Sequence, residues 1–531
     1  MKINKIHVEN FKSLRNTTVA FPSKTAIVVG DNEIGKTSLL EAINLGLTSQ
    51  INGRNIAYEL HPYLFNLSAS SEYLTELRKG VMLTPPRILL ELYFAEHDDL
   101  VALKGSINSC GEDCPGLSLS IEFDPRFEEE YKTYIADPTA VTSVPIEYMK
   151  IVWRTFSDQD ITSRSLPVRC SLIDATTVRH DLGANRYLTD VMSSYLEPHD
   201  LARLGLSYRK MKDLFLSDPS ISAINAELEK AKGTVSDKTI SIGLDNTARA
   251  KWESGVIPHL DSIPFSLVGK GEQTSTKIKL ALEKAEGSRI LLVEEPENHQ
   301  SHTNLNALLE SMFNKSGENQ IIVSTHSSFV LNKLGLDGTV LFDGSTGATL
   351  TDLPADTKNY FLKLSGHDTL RLILSKRVIL VEGPSDELIV QRAYKDIYGV
   401  LPLADGTEVI SVRSLAFKRF LDVAKLLEID VRVVTDNDGN IEKLKKKYEG
   451  YFDLEGILIS YDEDEEASTL EPQLVKYNGR NRTNEILGTE YASDEELIEY
   501  MEGHKTDCAL KFFESDQEVV VPQYIKNAVT K

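Results

Sequence analysis

Gly30-Asp31-Asn32-Glu33-Ile34-Gly35-Lys36-Thr37 is the stretch from which the fold can be read outward. Before it, Ala26 to Val29 is a short apolar run ending at Gly30, as a buried strand does. After it, Lys36 to Leu47 carries Leu39, Leu40, Ile43 and Leu47 at helical spacing. Strand, loop and helix thus frame the pattern glycine, four residues, Gly-Lys-Thr. Glycines let the backbone wrap closely around phosphate oxygens. A helix N-terminus adds unpaired N–H groups and a positive dipole end. The pattern predicts ATP binding by Gly30, Asn32, Gly35, Lys36, Thr37 and Ser38, with Lys36 on the β- and γ-phosphates and Thr37 on Mg²⁺.

Three later pieces extend this reading. Ile290-Leu291-Leu292-Val293-Glu294-Glu295 is an apolar strand ending in two carboxylates. Such a strand end beside a phosphate loop supplies a metal-holding acid, Glu294, and a base for the attacking water, Glu295. Ser324-Thr325-His326-Ser327 ends another apolar run and offers His326 to the γ-phosphate. Gly269-Lys270-Gly271-Glu272-Gln273 stands just before an expected helix, with Gly271 and Gln273 as candidate nucleotide contacts. In this order the pieces resemble the phosphate loop, signature, Walker B strand and switch histidine of ABC ATPases. Ile6-His7-Val8-Glu9-Asn10-Phe11-Lys12-Ser13-Leu14 looks like the first strand of their SMC and RecF branch. That resemblance implies a homodimer or higher homo-oligomer, because ABC domains complete their sites by pairing. The usual Asp-Glu is replaced by Glu294-Glu295, which bears on the hydrolysis rate more than on nucleotide binding.

A second alternating unit begins at Arg377. Strands are expected at Arg377 to Val381, Val409 to Val412 and Asp430 to Thr435, with helices at Asp386 to Tyr398 and Leu415 to Leu427. Val378 to Val381 leads into Glu382-Gly383-Pro384-Ser385-Asp386, and Val433-Val434-Thr435 leads into Asp436-Asn437-Asp438-Gly439. Parallel strand ends meet at one sheet edge, where sites form. An extended Asp-x-Asp points both side chains the same way. Converging acids repel unless cations lie between them, which suits Mg²⁺ or Mn²⁺.

These residues resemble the TOPRIM fold of topoisomerases, primases and nucleases. Joined to an ABC-type ATPase with a helical dimerisation insertion, the α/β chain is similar to the OLD (overcoming lysogenization defect) family. That family includes the Gabija large subunit and retron-associated effectors. The resemblance implies a two-metal DNA endonuclease with Glu382, Asp386, Asp436, Asp438 and Glu471 as metal ligands, and Lys505 stabilising the transition state. It implies anti-phage defence, ATP as a conformational signal, and a helicase or a retron (reverse transcriptase and its DNA) as possible partner. Lys443, Lys445, Lys446 and Lys447 are either DNA-backbone contacts or a solvated helix face. The rivals are a RecF- or SMC-like repair scaffold with a silent TOPRIM domain, and a topoisomerase or primase. Neither a tyrosine motif nor a template-binding module accompanies the acids.

Composition bounds the rest. The 531 residues allow several domains, divided here into 1–164 and 261–370 (ATPase), 165–260 (helical insertion) and 371–531 (TOPRIM). The helical reading of the insertion rests on apolar spacing at Val191 to Leu196, Leu201 to Leu216 and Ile221 to Leu228, interrupted by Pro219 and Gly233. A net charge of −22 argues against a protein that coats nucleic acid, but not against an enzyme with a local basic groove. The run Asp462 to Glu466 reads as a solvated loop. No apolar run suits a bilayer and the start lacks a signal-peptide design, so a cytoplasmic protein is expected. The four cysteines imply a reducing compartment; Cys110 and Cys114 lack the second pair that a zinc site needs.

Overall fold

A computed structural model describes residues 1–51, 53–162, 165–174, 197–230, 240–242, 244, 257–283, 289–315, 319–363, 369–412 and 417–530. From the N-terminus come β1 (Ile3–Phe11), β2 (Thr25–Val29), α1 (Lys36–Thr48), β3 (Ile88–Phe94), β4 (Cys114–Phe123), β5 (Met149–Thr155) and β6 (Arg169–Asp174). Then follow α2 (Pro198–Leu216), α3 (Pro219–Glu229), α4 (Lys270–Glu283), β7 (Arg289–Glu294), β8 (Gln320–Ser324), β9 (Thr339–Phe342) and β10 (Gly347–Thr349). The remainder is β11 (Arg377–Val381), α5 (Pro384–Tyr398), β12 (Thr407–Ser411), α6 (Phe417–Leu427), β13 (Asp430–Val434), α7 (Ile441–Lys447), β14 (Ile457–Ser460), α8 (Leu470–Asn478), α9 (Lys505–Glu514) and α10 (Gln523–Val529), among further short elements.

The chain packs into two compact units, one of Met1–Ile3, His7–Arg15 and Thr37–Val323, the other of Asn4–Ile6, Asn16–Lys36 and Ser324–Lys531. In the first, β3, β4 and β5 form an antiparallel meander, with Leu90 opposite Leu119 and Leu119 opposite Trp153. Every residue of β3 is buried, so its apolar run serves both faces. Strand β6 lies parallel to β7, with Asp174 beside Glu294. The stretch 165–260, expected as a helical insertion, thus also contains a strand. Six residues form too short a run for period-two alternation to stand out, and their partner is distant in sequence. The helices of that stretch, α2 and α3, follow the apolar spacing at Leu201 to Leu216 and Ile221 to Leu228. Val191 to Leu196 and Gly233 lie outside the described residues.

In the second unit, β2 runs parallel to β9, with Val28 beside Val340. A separate four-stranded sheet has the order β12-β11-β13-β14, all parallel. Central β11 is buried from Val378 to Val381, as expected of a strand covered on both faces. Ile379, Val381, Ile389, Tyr394, Leu474, Phe512 and Ile525 share one core drawn from β11, α5, α8, α9 and α10. Truncating wholly buried Phe512 to alanine would cost about 3–5 kcal/mol. Arg392 of α5 closes the far end of α9. Its guanidinium donates to the carbonyls of Phe512, Phe513, Ser515 and Gln517 at 2.5–3.2 Å. A cation on the carbonyl end of a helix satisfies groups that the helix leaves unpaired. The helix so held begins with Lys505. Among the described residues, no helix is long and apolar enough to cross a membrane.

Candidate active site

Each acid of the second unit is placed by a different local device. Glu382 directly follows β11, and Asp436 follows the adjacent β13 by one residue. One oxygen of Glu382, Oε1, accepts from Thr435 Oγ1 at 2.6 Å and from the Asp436 N–H at 3.1 Å. Asp386 lies in the first turn of α5 and folds back on its start, Oδ2 accepting from the Gly383 N–H at 3.0 Å. Glu471 is in the first turn of α8 and is buried. Lys505 opens α9, and its ammonium stands 3.3 Å from Glu471 Oε2.

Asp438 departs from expectation. Its φ of 51° is left-handed, so the Asp436–Asp438 segment is not extended throughout. The turn, rather than strand alternation, sets the direction of Asp438, which is exposed. Asn437 between them is buried, and its Nδ2 donates at 2.8 Å to the carbonyls of Asp462 and Asp464. Asn437 therefore staples the acidic loop to the strand end. The sequence reading missed this residue; an amide flanked by acids and followed by Gly439 was its only signal. Of the run Asp462 to Glu466, expected as a solvated loop, Glu463, Glu465 and Glu466 are exposed, while its first residue is not. Asp462 is 8% exposed and accepts from the Asp464 N–H at 2.9 Å.

The acids feel one another. Burial, then the charge of Glu382 and further off Glu471, pushes the Asp386 carboxyl up to about 7. Burial, then Asp386, Glu382, Glu471 and Asp438, pushes Asp436 up to about 8. Asp436 Oδ1 is buried without a hydrogen-bond partner. A buried acceptor among like charges is the kind of donor set a hard dication neutralises. Among the described residues, no three His, Cys, Asp or Glu side chains close around a single point. The acids instead make an electronegative edge, which suits an ion that keeps several waters and takes one or two carboxylates. Lys505 is half exposed. Burial pulls its pKa down, but the charges of Glu471, Asp436 and Glu502 outweigh that and hold it above the ordinary lysine value. Lys443, Lys445, Lys446 and Lys447 of α7 are exposed around buried Leu444.

The nucleotide candidates fall in both units, and each is described within its own. In the second unit, Lys36 is 6% exposed and its ammonium donates to the carbonyls of Gly30 at 2.8 Å and Asp31 at 2.7 Å. A side chain at Gly30 would strike the Phe342 carbonyl at 2.4 Å, and Gly35 has a φ of 106°, so glycine is required at both. His326 is exposed just past β8. In the first unit, Thr37 Oγ1 donates to Glu294 Oε1, bringing together two residues far apart in sequence. Ser38 Oγ pairs with Ser13 Oγ at 3.0 Å. Glu295 has a φ of 43° and accepts from Asn298 Nδ2 at 2.5 Å. Gly271 and Gln273 lie in the first turn of α4 rather than before it. Gln273 turns inward, Nε2 donating to the Val268 carbonyl at 2.7 Å, and a side chain at Gly271 would meet the His299 carbonyl at 2.3 Å.

Two family models match the chain. An AAA ATPase domain covers residues 1–123, and the overcoming lysogenization defect protein-like TOPRIM domain covers residues 373–438. The chain joins an AAA ATPase domain to an OLD-like TOPRIM domain. In that domain content it is similar to the OLD family. Among solved structures, the SMC head domain from Thermotoga maritima is 11% identical, covering 66% of this chain and 99% of its own, with a TM-score of 0.29. The recombination mediator protein RecF with ATP is 10% identical, at 66% and 99% coverage and a TM-score of 0.32. The C-terminal region of the Xanthomonas campestris pv. campestris OLD protein is 22% identical, at 30% and 92% coverage and a TM-score of 0.24. With TM-scores this low, these likenesses carry no weight beyond the family models. No curated protein matches the chain. In this OLD-like TOPRIM domain, Glu382, Asp386, Asp436 and Asp438 fall inside the matched span, whereas Glu471 and Lys505 fall outside it. Folding is what brings that second pair together.

Proposed function

We propose that this chain is an ATP-binding, divalent-metal-dependent DNA endonuclease. The observation that carries the reading is the meeting of Glu382 and Asp436 at adjoining parallel strand ends, where burial and the charge of Glu382 raise both Asp386 and Asp436. Carboxylates that raise one another's pKa in a sheet-edge cleft are a cation site more often than a structural one. Glu382, Asp386, Asp436, Asp438 and Glu471 would hold Mg²⁺ or Mn²⁺. Such ions supply Lewis acidity and a water poised for attack on a phosphodiester. Lys505 offsets the negative charge that grows on the phosphate, and Glu471 holds its ammonium in place. The exposed lysines of α7 begin four residues past Gly439 and give the DNA backbone cationic contacts. The nucleotide reading rests on the sequence motifs, with Gly30 to Ser38 as the phosphate loop, Thr37 and Glu294 as candidate Mg²⁺ ligands, and Glu295, His326, Gly271 and Gln273 as the further motif residues. We propose that ATP regulates the nuclease, that the chain forms a homodimer or larger homo-oligomer, and that it serves in anti-phage defence; these rest on the resemblance to the OLD family.

Supercoiled plasmid incubated with Mg²⁺ or Mn²⁺, with and without ATP, tests the reading. The parent is expected to nick or linearise it and the Glu382→Ala variant not to. Equal cleavage by both would place the activity elsewhere.

A further inference from the structure

We propose that Thr435 is a positioning residue that aims Glu382 at the cation. The inference rests on the nuclease reading and deepens it. Glu382 and Asp436 follow neighbouring parallel strands, in register with Leu380 beside Val433. Thr435 lies between β13 and Asp436 and is 3% exposed. Its backbone is tied to the next strand, the N–H donating to the Ser460 carbonyl at 3.2 Å. Its hydroxyl reaches back the other way and meets Glu382 Oε1 at 2.6 Å. The alternative acceptor, the Asp436 carbonyl, is 3.4 Å away, so the single hydroxyl proton belongs on the carboxylate.

The consequence is geometric. The Asp436 N–H reaches the same oxygen at 3.1 Å. Two donors on Oε1 fix the orientation of the Glu382 carboxylate. Packing alone does not explain the residue. Val433 and Val434 precede it, and a third valine would fill nearly the same volume in this buried strand end. Only the hydroxyl distinguishes threonine there, and its short bond is made to a proposed ligand. Asp386 is also held by one oxygen, Oδ2 accepting from the Gly383 N–H. Fixing one oxygen of a carboxylate from behind is how outer-shell partners orient metal ligands.

The test uses the full chain without nucleotide. Mg²⁺ and Mn²⁺ are titrated against the parent, Thr435→Val, Thr435→Ser and, as a blank, Glu382→Ala, following both thermal shift and plasmid nicking. The expected result is that Thr435→Val needs about 10–100-fold more cation to reach half its thermal shift, and nicks correspondingly less below saturation. Thr435→Ser, which restores the hydroxyl, follows the parent. Cation-free melting controls for folding, and Thr435→Val is expected to melt within about 4 °C of the parent. If Thr435→Val titrates like the parent, or Thr435→Ser fails as badly as Thr435→Val, the positioning role is overturned while the nuclease reading stands. A parent that neither shifts nor nicks with either cation overturns both.

Discussion

The phosphate loop and the acidic strand edge treat charge in opposite ways. In the loop, the buried ammonium of Lys36 donates to the carbonyls of Gly30 and Asp31, its own near neighbours in sequence. At the edge, Asp436 is pushed up to about 8 by burial and by four other acids, and its Oδ1 has no partner. A site built from contiguous residues can satisfy itself locally. A site assembled from separate segments keeps whatever conflict the fold imposes on it. Conflict of that kind persists where function needs it.

The comparison breaks if the two sites do not fail separately. Glu382→Ala is expected to lower plasmid nicking by at least about 10²-fold while leaving ATP affinity nearly unchanged. Lys36→Ala removes charge-assisted bonds to phosphate worth about 1.5–3 kcal/mol, so ATP affinity should fall roughly tenfold to hundredfold. Nicking without nucleotide should survive that change. Equilibrium nucleotide binding and single-turnover nicking measured on both variants decide the matter, and either variant losing both activities would end the separation.

A finer cut divides the acidic edge itself. Lys505→Met is expected to slow nicking about tenfold, less than loss of a metal ligand, because its half-exposed ammonium is screened by water. Its cation-induced thermal shift should match the parent's, since the lysine offsets phosphate charge rather than holding the ion. A shift weakened as much as that of Glu382→Ala would instead make Lys505 a prop for Glu471.

How much of this the sequence disclosed follows the same contrast. The loop was legible because Gly30 to Thr37 are contiguous and each has a stereochemical reason for its place. Glu382 and Asp436 were legible because each ends an apolar strand, and parallel strand ends share an edge. Thr435 and Asn437 were not, since their roles lie in contacts to Glu382 and to the Asp462–Asp464 backbone that spacing does not encode. Glu471 and Lys505 came only from the resemblance, each by itself, and their pairing across the first turns of two helices was not foreseen. Strand β6 was hidden for a related reason, because its partner β7 is remote in sequence. The left-handed turn at Asp438 broke an argument that assumed extended backbone.

The smallest effect tests whether the edge is strained at all. Asp386 titrates at about 7 and Asp436 at about 8 in the folded chain, against the ordinary carboxylate value of 3.8. Between roughly pH 4 and pH 8 the folded chain therefore holds protons that the unfolded chain has released. Stability falls as pH rises through that window and levels off above it. Asp343, whose backbone amide bonds hold it down to about 2, acts in the opposite sense but only in stronger acid. In EDTA, the melting temperature of the parent should drop from pH 5 to pH 8, by roughly 2–4 °C for each kcal/mol lost in a domain of about 150–250 residues. Asp436→Asn removes the ionisation, so its profile should be flatter and its melting temperature at pH 8 higher than the parent's, although the variant nicks no DNA. Mg²⁺ should flatten the parent's profile and leave the variant's unchanged. A parent profile that is level across this range, with Asp436→Asn no more stable at pH 8, would mean that the acids stand far enough apart to ionise freely, and the contrast with the self-satisfied loop would be lost.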